Sequence, residues 1–152
     1  KAIKYFQASY DLQADPFIKG YLGSSYTIRS GEILNLLLLN KGLKILDQAC
    51  TEAPDHIELK LLNIANSLYI PGMFFKKRIP LIKENIQIME KWNNEGKLSQ
   101  KQYLDAIFYK AELARFTKDI KTAKDLYQFV IDQNPNSNIA RSAQEELDNL
   151  SE

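Results

Sequence analysis

Histidine and cysteine are almost absent from this chain, which contains only His56 and Cys50. A lone cysteine cannot form an intrachain disulfide, and a lone histidine excludes metal sites that need several imidazoles. The glycines are too scattered to form a phosphate-binding loop. A catalytic Cys50–His56 pair is conceivable, but the spacing favours a packed thiol and a histidine in the first turn of the next helix. The sequence therefore predicts no cofactor, no metal and no catalytic activity.

Long apolar runs and an excess of one charge are also missing. The longest apolar run is Leu36–Leu39, far short of the roughly 20 residues that cross a bilayer, so no integral membrane segment is predicted. The 20 basic residues nearly balance the 19 acidic ones, and the net charge is +1. This balance argues against a nucleic-acid partner and against a large footprint on an anionic membrane.

The remaining composition is that of an ordinary soluble globular protein, with 45% apolar and 26% charged residues. The chain begins at Lys1 rather than methionine, which indicates a processed or trimmed product, and any targeting segment would then have been removed. The sequence is therefore compatible with a cytoplasmic and with an exported protein, and with any oligomeric state.

Apolar residues recur at helical spacing along nearly the whole chain. Tyr103, Ile107 and Ala111, for example, step by four residues along one face of a helix. No stretch alternates in the way a strand does, so the chain is predicted to be all-α. Eight helices are expected, near residues 1–13, 16–30, 33–52, 56–70, 79–94, 100–117, 120–133 and 138–150. A loop is expected at 71–79, with Pro80 in the first turn of the helix that follows.

Several residues mark the expected helix ends. Asp55 with Glu58, and Ser99 with Gln102, have the spacing of a capping box, in which two side chains satisfy free backbone N–H groups. Gly96 is expected to end the helix before it, because glycine adopts the left-handed backbone conformation of a helix C-cap at low cost.

One spaced set of residues occurs twice. It consists of a small residue, a larger apolar residue four positions on, a further small or apolar residue three positions on, and a proline five positions after that. The copies are Gly42, Leu46, Ala49 and Pro54, then Ala123, Tyr127, Val130 and Pro135, with a looser copy at Ala2, Phe6, Ser9 and Pro16. Small residues let helix backbones approach and the large residue fills the remaining hole. Such a repeat predicts stacked helix pairs.

These sets resemble the tetratricopeptide repeat (TPR) family, in a divergent bacterial form, whose unit is an antiparallel pair of helices. The family places Leu-Gly-x-x-Tyr on its first helix, and residues 22–26 read Leu-Gly-Ser-Ser-Tyr. The resemblance implies a right-handed α–α superhelix of about four helix pairs in a single domain, 1–152. The best-matching units are 16–54 and 104–137, around an irregular middle at 56–98, and a capping helix is expected at 138–150.

The resemblance also implies where a partner binds. In this family the first helix of each pair lines the concave surface, and the matching positions include Phe17, Gly20, Leu59, Leu62 and Asp105. The residues with the most suitable side chains there are Ser24, Thr27, Asn66, Tyr69, Phe108, Glu112 and Arg115. The polar members stand at positions that the core is not expected to require, and ordinary solvation is the alternative explanation for them.

The predicted function is protein–protein interaction, by a scaffold or adaptor whose concave face holds a peptide or a partner protein. One alternative is an accessory or regulatory helical domain of a larger assembly, such as one at the cell envelope. The other is a self-association module. A basic–aromatic cluster at 74–78 either docks an anionic partner or membrane surface, or packs its phenylalanines over the middle repeat while its basic residues stay solvated.

Overall fold

The computed structural model describes residues 1–150, which form eight helices and no strand. The helices are α1 (Ala2–Leu12), α2 (Pro16–Ile33), α3 (Leu36–Glu52), α4 (Ile57–Leu68), α5 (Gly72–Asn94), α6 (Gln100–Phe116), α7 (Ile120–Gln133) and α8 (Asn138–Asn149). The all-α prediction is confirmed. Apart from α5, every helix begins and ends within three residues of its predicted limits. The chain divides into two compact units, unit 1 (Lys1–Lys77) and unit 2 (Arg78–Glu152).

The loop predicted at 71–79 is wrong, because α5 already begins at Gly72 and includes Pro80. The carbonyl of Pro71 accepts hydrogen bonds from Phe74 N at 2.9 Å and Phe75 N at 3.0 Å. Pro71 therefore stands directly before α5 and does not interrupt it. Phe75 is also buried, which favours an ordered backbone around it. Pro80 lacks one N–H group but stays exposed, and the helix continues through it.

Side-chain caps begin most of the helices. Ser99 and Gln102 form the predicted capping box, and Gly96 ends α5 with a φ of 71° as expected. The box predicted at Asp55 is wrong: His56 is the N-cap of α4, and its Nδ1 accepts the Leu59 N–H at 3.4 Å. The imidazole is held for this role by stacking on the ring of Phe17, with the centroids 5.1 Å apart.

Unit 1 is built on a close approach of α2 and α3 at two glycines. A Cβ atom added to Gly23 would lie 2.7 Å from Leu46 N and 2.8 Å from the carbonyl oxygen of Gly42. A Cβ atom on Gly42 would lie 2.7 Å from the carbonyl oxygen of Gly23. Leu46 and Ala49 are fully buried. The first copy of the repeated set therefore forms the packing face of α3, as its spacing predicts.

Unit 2 has its core between α6, α7 and α8. Ala123, Tyr127 and Val130 are all fully buried, so the second copy of the repeated set is also a packing face. They pack with a set of buried residues from the neighbouring helices: Ile107, Phe108, Ala111, Ala114 and Ala143. The looser copy in α1 differs, since α1 contributes no buried residue and its Phe6 only stacks on Tyr21, with the ring centroids 5.6 Å apart.

Candidate functional site

The seven predicted binding residues fall into two groups. Ser24, Thr27, Asn66 and Tyr69 lie in unit 1, on α2 and at the end of α4. Phe108, Glu112 and Arg115 lie on α6 of unit 2.

The unit 1 group lines an open hollow of about 330 Å³ between α2 and α4. We refer to it as the Ser24–Tyr69 hollow. It is lined by Ser24, Thr27, Ile28, Leu62, Ala65, Asn66, Tyr69 and Ile70. Ser24 and Thr27 are 6% and 7% exposed, whereas Ile28 and Tyr69 are 63% and 55% exposed. The hydroxyl groups therefore lie deep in the hollow, and the large apolar and aromatic side chains lie at its rim.

The amide of Asn66 links the two helices across the base of this hollow. Its Nδ2 donates to Ser24 Oγ at 3.1 Å and to the carbonyl of Leu62 at 2.9 Å. Its Oδ1 accepts from the hydroxyl of Thr27, which also lies 2.7 Å from the Ser24 carbonyl oxygen. Both amide hydrogens of Asn66 are thus used within the protein.

These hydrogen bonds decide what the hollow can recognise. Because its deep polar groups are already paired with one another, a ligand gains little by competing for them. The remaining surface comes from Ile28, Leu62, Ala65, Ile70 and the ring of Tyr69. The hollow is therefore suited to an apolar side chain, with the phenol of Tyr69 as a polar group at its edge.

The unit 2 group belongs to a buried ionic cluster. Glu112 is 1% exposed, and its Oε2 accepts from Arg115 Nη2 at 2.7 Å. Its Oε1 accepts from Arg115 Nε at 3.0 Å and from the hydroxyl of Tyr127. Arg115 also lies 3.5 Å from a carboxylate oxygen of Glu146 on α8. The cluster therefore connects α6, α7 and α8 through one guanidinium group.

The cluster shifts the pKa of two of its members. Hydrogen bonding to Glu112 raises the pKa of the Arg115 guanidinium above its usual range. Burial, followed by the hydrogen bond to Glu112, raises the pKa of the Tyr127 phenol. Both groups therefore keep their protons at neutral pH, and the cluster is a fixed set of donors around one carboxylate.

The burial of Glu112, like that of Ser24, corrects the expectation that the core does not require the polar members of the predicted set. Phe108 is 7% exposed and belongs to the apolar core of unit 2, with its ring centroid 5.8 Å from that of Tyr127. Glu112 is buried because its carboxylate accepts hydrogen bonds from two other helical residues. Arg115 is the member whose side chain keeps some exposure, at 25%.

Cys50 and His56 each have contacts of a structural kind. Cys50 Sγ lies 3.4 Å from the carbonyl oxygen of Leu59 and 3.4 Å from Asn63 Nδ2. His56 caps α4 and stacks on Phe17. These contacts explain the positions of both side chains by packing and helix capping.

The basic–aromatic cluster at 74–78 is part of α5 rather than of a loop. Phe75 is buried and Phe74 half-buried, whereas Lys76 and Lys77 are exposed. The phenylalanine side chains therefore pack against the protein and the basic groups reach solvent, as one of the two sequence-based interpretations expects.

A second hollow, of about 320 Å³, lies in unit 2 and was not predicted from the sequence. Its walls come from α5, α6 and the start of α7, and Lys110 Nζ pairs there with Glu90 Oε1 at 2.6 Å. The sequence gives little indication of this hollow, because the residues that form it are spread over three helices.

Within residues 1–150, none of the helices combines the length and the apolar character that a bilayer crossing requires. The same residues contain no group of three or more His, Cys, Asp or Glu side chains that could hold a metal ion. The chain matches no protein-family model, no curated protein and no solved structure, so its function is argued from its own geometry.

Proposed function

We propose that this protein is a TPR-like helical-repeat interaction module that binds a peptide or partner segment in the Ser24–Tyr69 hollow. The observation that carries the proposal is the combination of an exposed rim, Ile28 and Tyr69, with a base whose polar groups are mutually hydrogen-bonded. The burial of both repeated residue sets on the packing faces of α3 and α7 supports the repeat architecture. A right-handed superhelical stacking of the helix pairs is part of the same proposal.

The occupant we propose is one large apolar side chain of the partner segment. About 330 Å³ is enough for such a side chain and its neighbouring backbone, and the exposed walls are mostly aliphatic. Tyr69 contributes a rigid aromatic surface, the type of residue that often dominates the binding energy of an interface. Arg115 is proposed as a secondary contact residue for a partner, because part of its side chain remains exposed in unit 2.

Selection from a displayed library of random peptides, with the full chain immobilised, tests this proposal. We expect the enriched peptides to share an apolar anchor residue. Tyr69→Ser should weaken their binding by about tenfold or more, measured by fluorescence anisotropy. Tyr5→Ser is the matched control, because Tyr5 is similarly exposed, at 63%, but lies on α1 outside the hollow.

A second variant tests the cavity itself. Ala65→Leu places additional atoms in the hollow, where Ala65 is half-buried, and should block the anchor without removing any aromatic contact. The proposal would be contradicted by enriched peptides that bind wild type, Tyr69→Ser and Ala65→Leu equally well. A library from which no peptide is enriched would contradict it too.

A further inference from the structure

The turn between α2 and α3 exposes four large aliphatic side chains, which we refer to as the apolar tip. Ile33, Leu34, Leu36 and Leu37 are 47%, 88%, 49% and 82% exposed. Together they present on the order of 500 Å² of apolar surface, comparable to the largest patch of a typical monomer, which is often functional. The eight residues 33–40 carry no charge. A surface of this kind is costly to leave in water.

The turn that presents the apolar tip is held by backbone and side-chain hydrogen bonds. Asn35 N donates to the carbonyl of Ser30 at 3.0 Å, and Asn35 Oδ1 accepts the N–H of Leu38 at 3.0 Å as the N-cap of α3. Leu34, the residue between α2 and Asn35, has a φ of 51°, in the left-handed region where glycine is usual after a helix. Gly31, three residues earlier, has an ordinary helical conformation.

Folding stability does not account for leucine at position 34. A glycine there would adopt the same backbone conformation without steric cost and without an exposed isobutyl group. The side chain of Leu34 is almost fully exposed and therefore gains little from packing within unit 1. The tip is convex, since it is a turn between two helices, and it has no walls that could enclose a peptide.

The charges of unit 1 are separated between its two ends. Segments 1–4, 28–41 and 69–77, at the end that carries the apolar tip, contain six basic residues and one acidic residue. Segments 9–20 and 47–60, at the other end, contain six acidic and two basic residues. The one other charged residue of unit 1, Lys44, lies at the middle of α3. Contacts across the helices confirm this sorting, since Lys1 and Ala2 lie near Arg29 and Glu32 at one end, whereas Lys19 pairs with Glu52 at the other.

The basic groups at the tip end are available to a partner. Lys1, Lys4, Arg29, Lys41, Lys76 and Lys77 are all exposed, and Lys41 Nζ donates to the hydroxyl oxygen of Tyr26 at 3.2 Å. The single acidic residue there, Glu32, already accepts from Arg29 Nη1 at 2.6 Å. The whole-chain charge of +1 therefore conceals a surface of one sign around the apolar tip.

We propose that this end of unit 1 docks on an anionic lipid surface, with Leu34 and Leu37 inserted at the level of the headgroups. Apolar side chains on a convex turn are all buried at once by a soft planar medium, and basic residues around them meet the anionic headgroups. The insertion is peripheral, because it involves a turn and not a spanning helix. The hollow proposed to bind a partner segment lies at the same end of unit 1, since Ile28 and Tyr69 belong to segments 28–41 and 69–77, but it shares no residue with the apolar tip.

Vesicle flotation with the full chain tests the proposal. The probes are vesicles of phosphatidylcholine alone and of phosphatidylcholine mixed with phosphatidylglycerol. We expect the protein to float with the mixed vesicles, to bind more weakly to the neutral ones, and to be released as the salt concentration rises. Leu34→Gly should weaken binding by about tenfold, the effect of withdrawing one aliphatic side chain from an apolar medium.

Matched variants separate lipid binding from folding. Leu34→Gly relieves a left-handed leucine, so it should keep its helical circular dichroism and melt no earlier than wild type. Leu12→Gly is the control, because Leu12 is 90% exposed but lies at the acidic end, and its vesicle binding should equal that of wild type. Lys4→Gln should weaken binding, whereas Lys121→Gln, an exposed site in unit 2, should not.

Three results would overturn the proposal. The first is an absence of flotation with the anionic vesicles. The second is an equal loss of binding for Leu34→Gly and Leu12→Gly. The third is a wild-type dimer in sedimentation that Leu34→Gly converts to a monomer while neither protein binds vesicles, because the tip would then be covered by a second copy of the chain.

Discussion

Two glycines of the same helix should respond in opposite ways to the same substitution. Gly23 and Gly31 both lie in α2, and both have helical backbone conformations. A Cβ atom at Gly23 would lie 2.7 Å and 2.8 Å from backbone atoms of α3, which cannot rotate away as a side chain would. A Cβ atom at Gly31 meets no atom within 4 Å. The pair therefore isolates helix–helix contact from helix propensity.

The size of the effect follows from these two surroundings. Alanine is favoured over glycine in a helix by about 0.5–1 kcal/mol, so Gly31→Ala should stabilise the protein by that amount. At Gly23 the same gain is opposed by overpacking, which costs about 1–3 kcal/mol and here lies near the upper value because α3 must move as a whole. The net destabilisation should be about 2 kcal/mol. The two variants should then differ in their free energy of unfolding by about 3 kcal/mol.

Urea denaturation followed by circular dichroism at 222 nm measures this difference. Both variants should keep the wild-type m-value, since neither changes the surface that unfolding exposes. A Gly23→Ala protein as stable as Gly31→Ala would refute the reasoning, because α2 and α3 would then not approach at Gly23 and Gly42. Gly42→Ala should behave as Gly23→Ala does, because its Cβ atom would enter the same backbone contact from the side of α3.

Three further substitutions test the core of unit 2 and the helix caps. Ala123→Leu should destabilise the protein by about 1–3 kcal/mol in thermal melts, because Ala123 has no free space beside it; an unchanged melting temperature would contradict the repeat register. The pKa of Tyr127 is raised in the folded protein, so its neutral phenol contributes stability below about pH 10 that is lost as the pH rises further. Wild type should therefore lose up to about 1.4 kcal/mol per pH unit relative to Tyr127→Phe. Parallel pH profiles of the free energy of unfolding would contradict this. Ser99→Ala should cost about 1 kcal/mol in urea denaturation through loss of the capping box, and no loss would mean that the box is not formed in solution.

The sequence predicts the helices well because most of their ends depend on local chemistry. Ser99 with Gln102 and Gly96 act within one turn of the chain, so their spacing is sufficient. The errors occur where a tertiary contact decides. Pro80 is tolerated inside α5, in a segment whose Phe75 is buried. The end of α2 is a different case: the helix continues past Gly31 to Ile33, and the exposed Leu34 after it takes a left-handed conformation that no local rule selects for leucine.

The candidate site is predicted less well, because periodicity assigns a residue to a helix face and not to a partner. It brings Ser24, Thr27 and Asn66 to one hollow, but it does not show that their polar groups bond to one another. Glu112 and Arg115 have the same spacing on α6 as an exposed pair would have. The burial of Glu112 depends on Tyr127, which approaches from another helix, and a single-helix pattern contains no information on that contact.

The charge of unit 1 shows what a count over the whole chain leaves out. A net charge is the same however the residues are arranged, so +1 for the chain does not decide whether one surface is basic. The predicted helices already contain the missing information, because consecutive antiparallel helices return the chain alternately to two ends. When residues 1–77 are sorted by helix direction, six basic residues and one acidic residue fall at the end with the apolar tip. For a protein of stacked helices, the charge counted separately at each end therefore indicates which surface is basic. This count needs only the order of the helices along the chain.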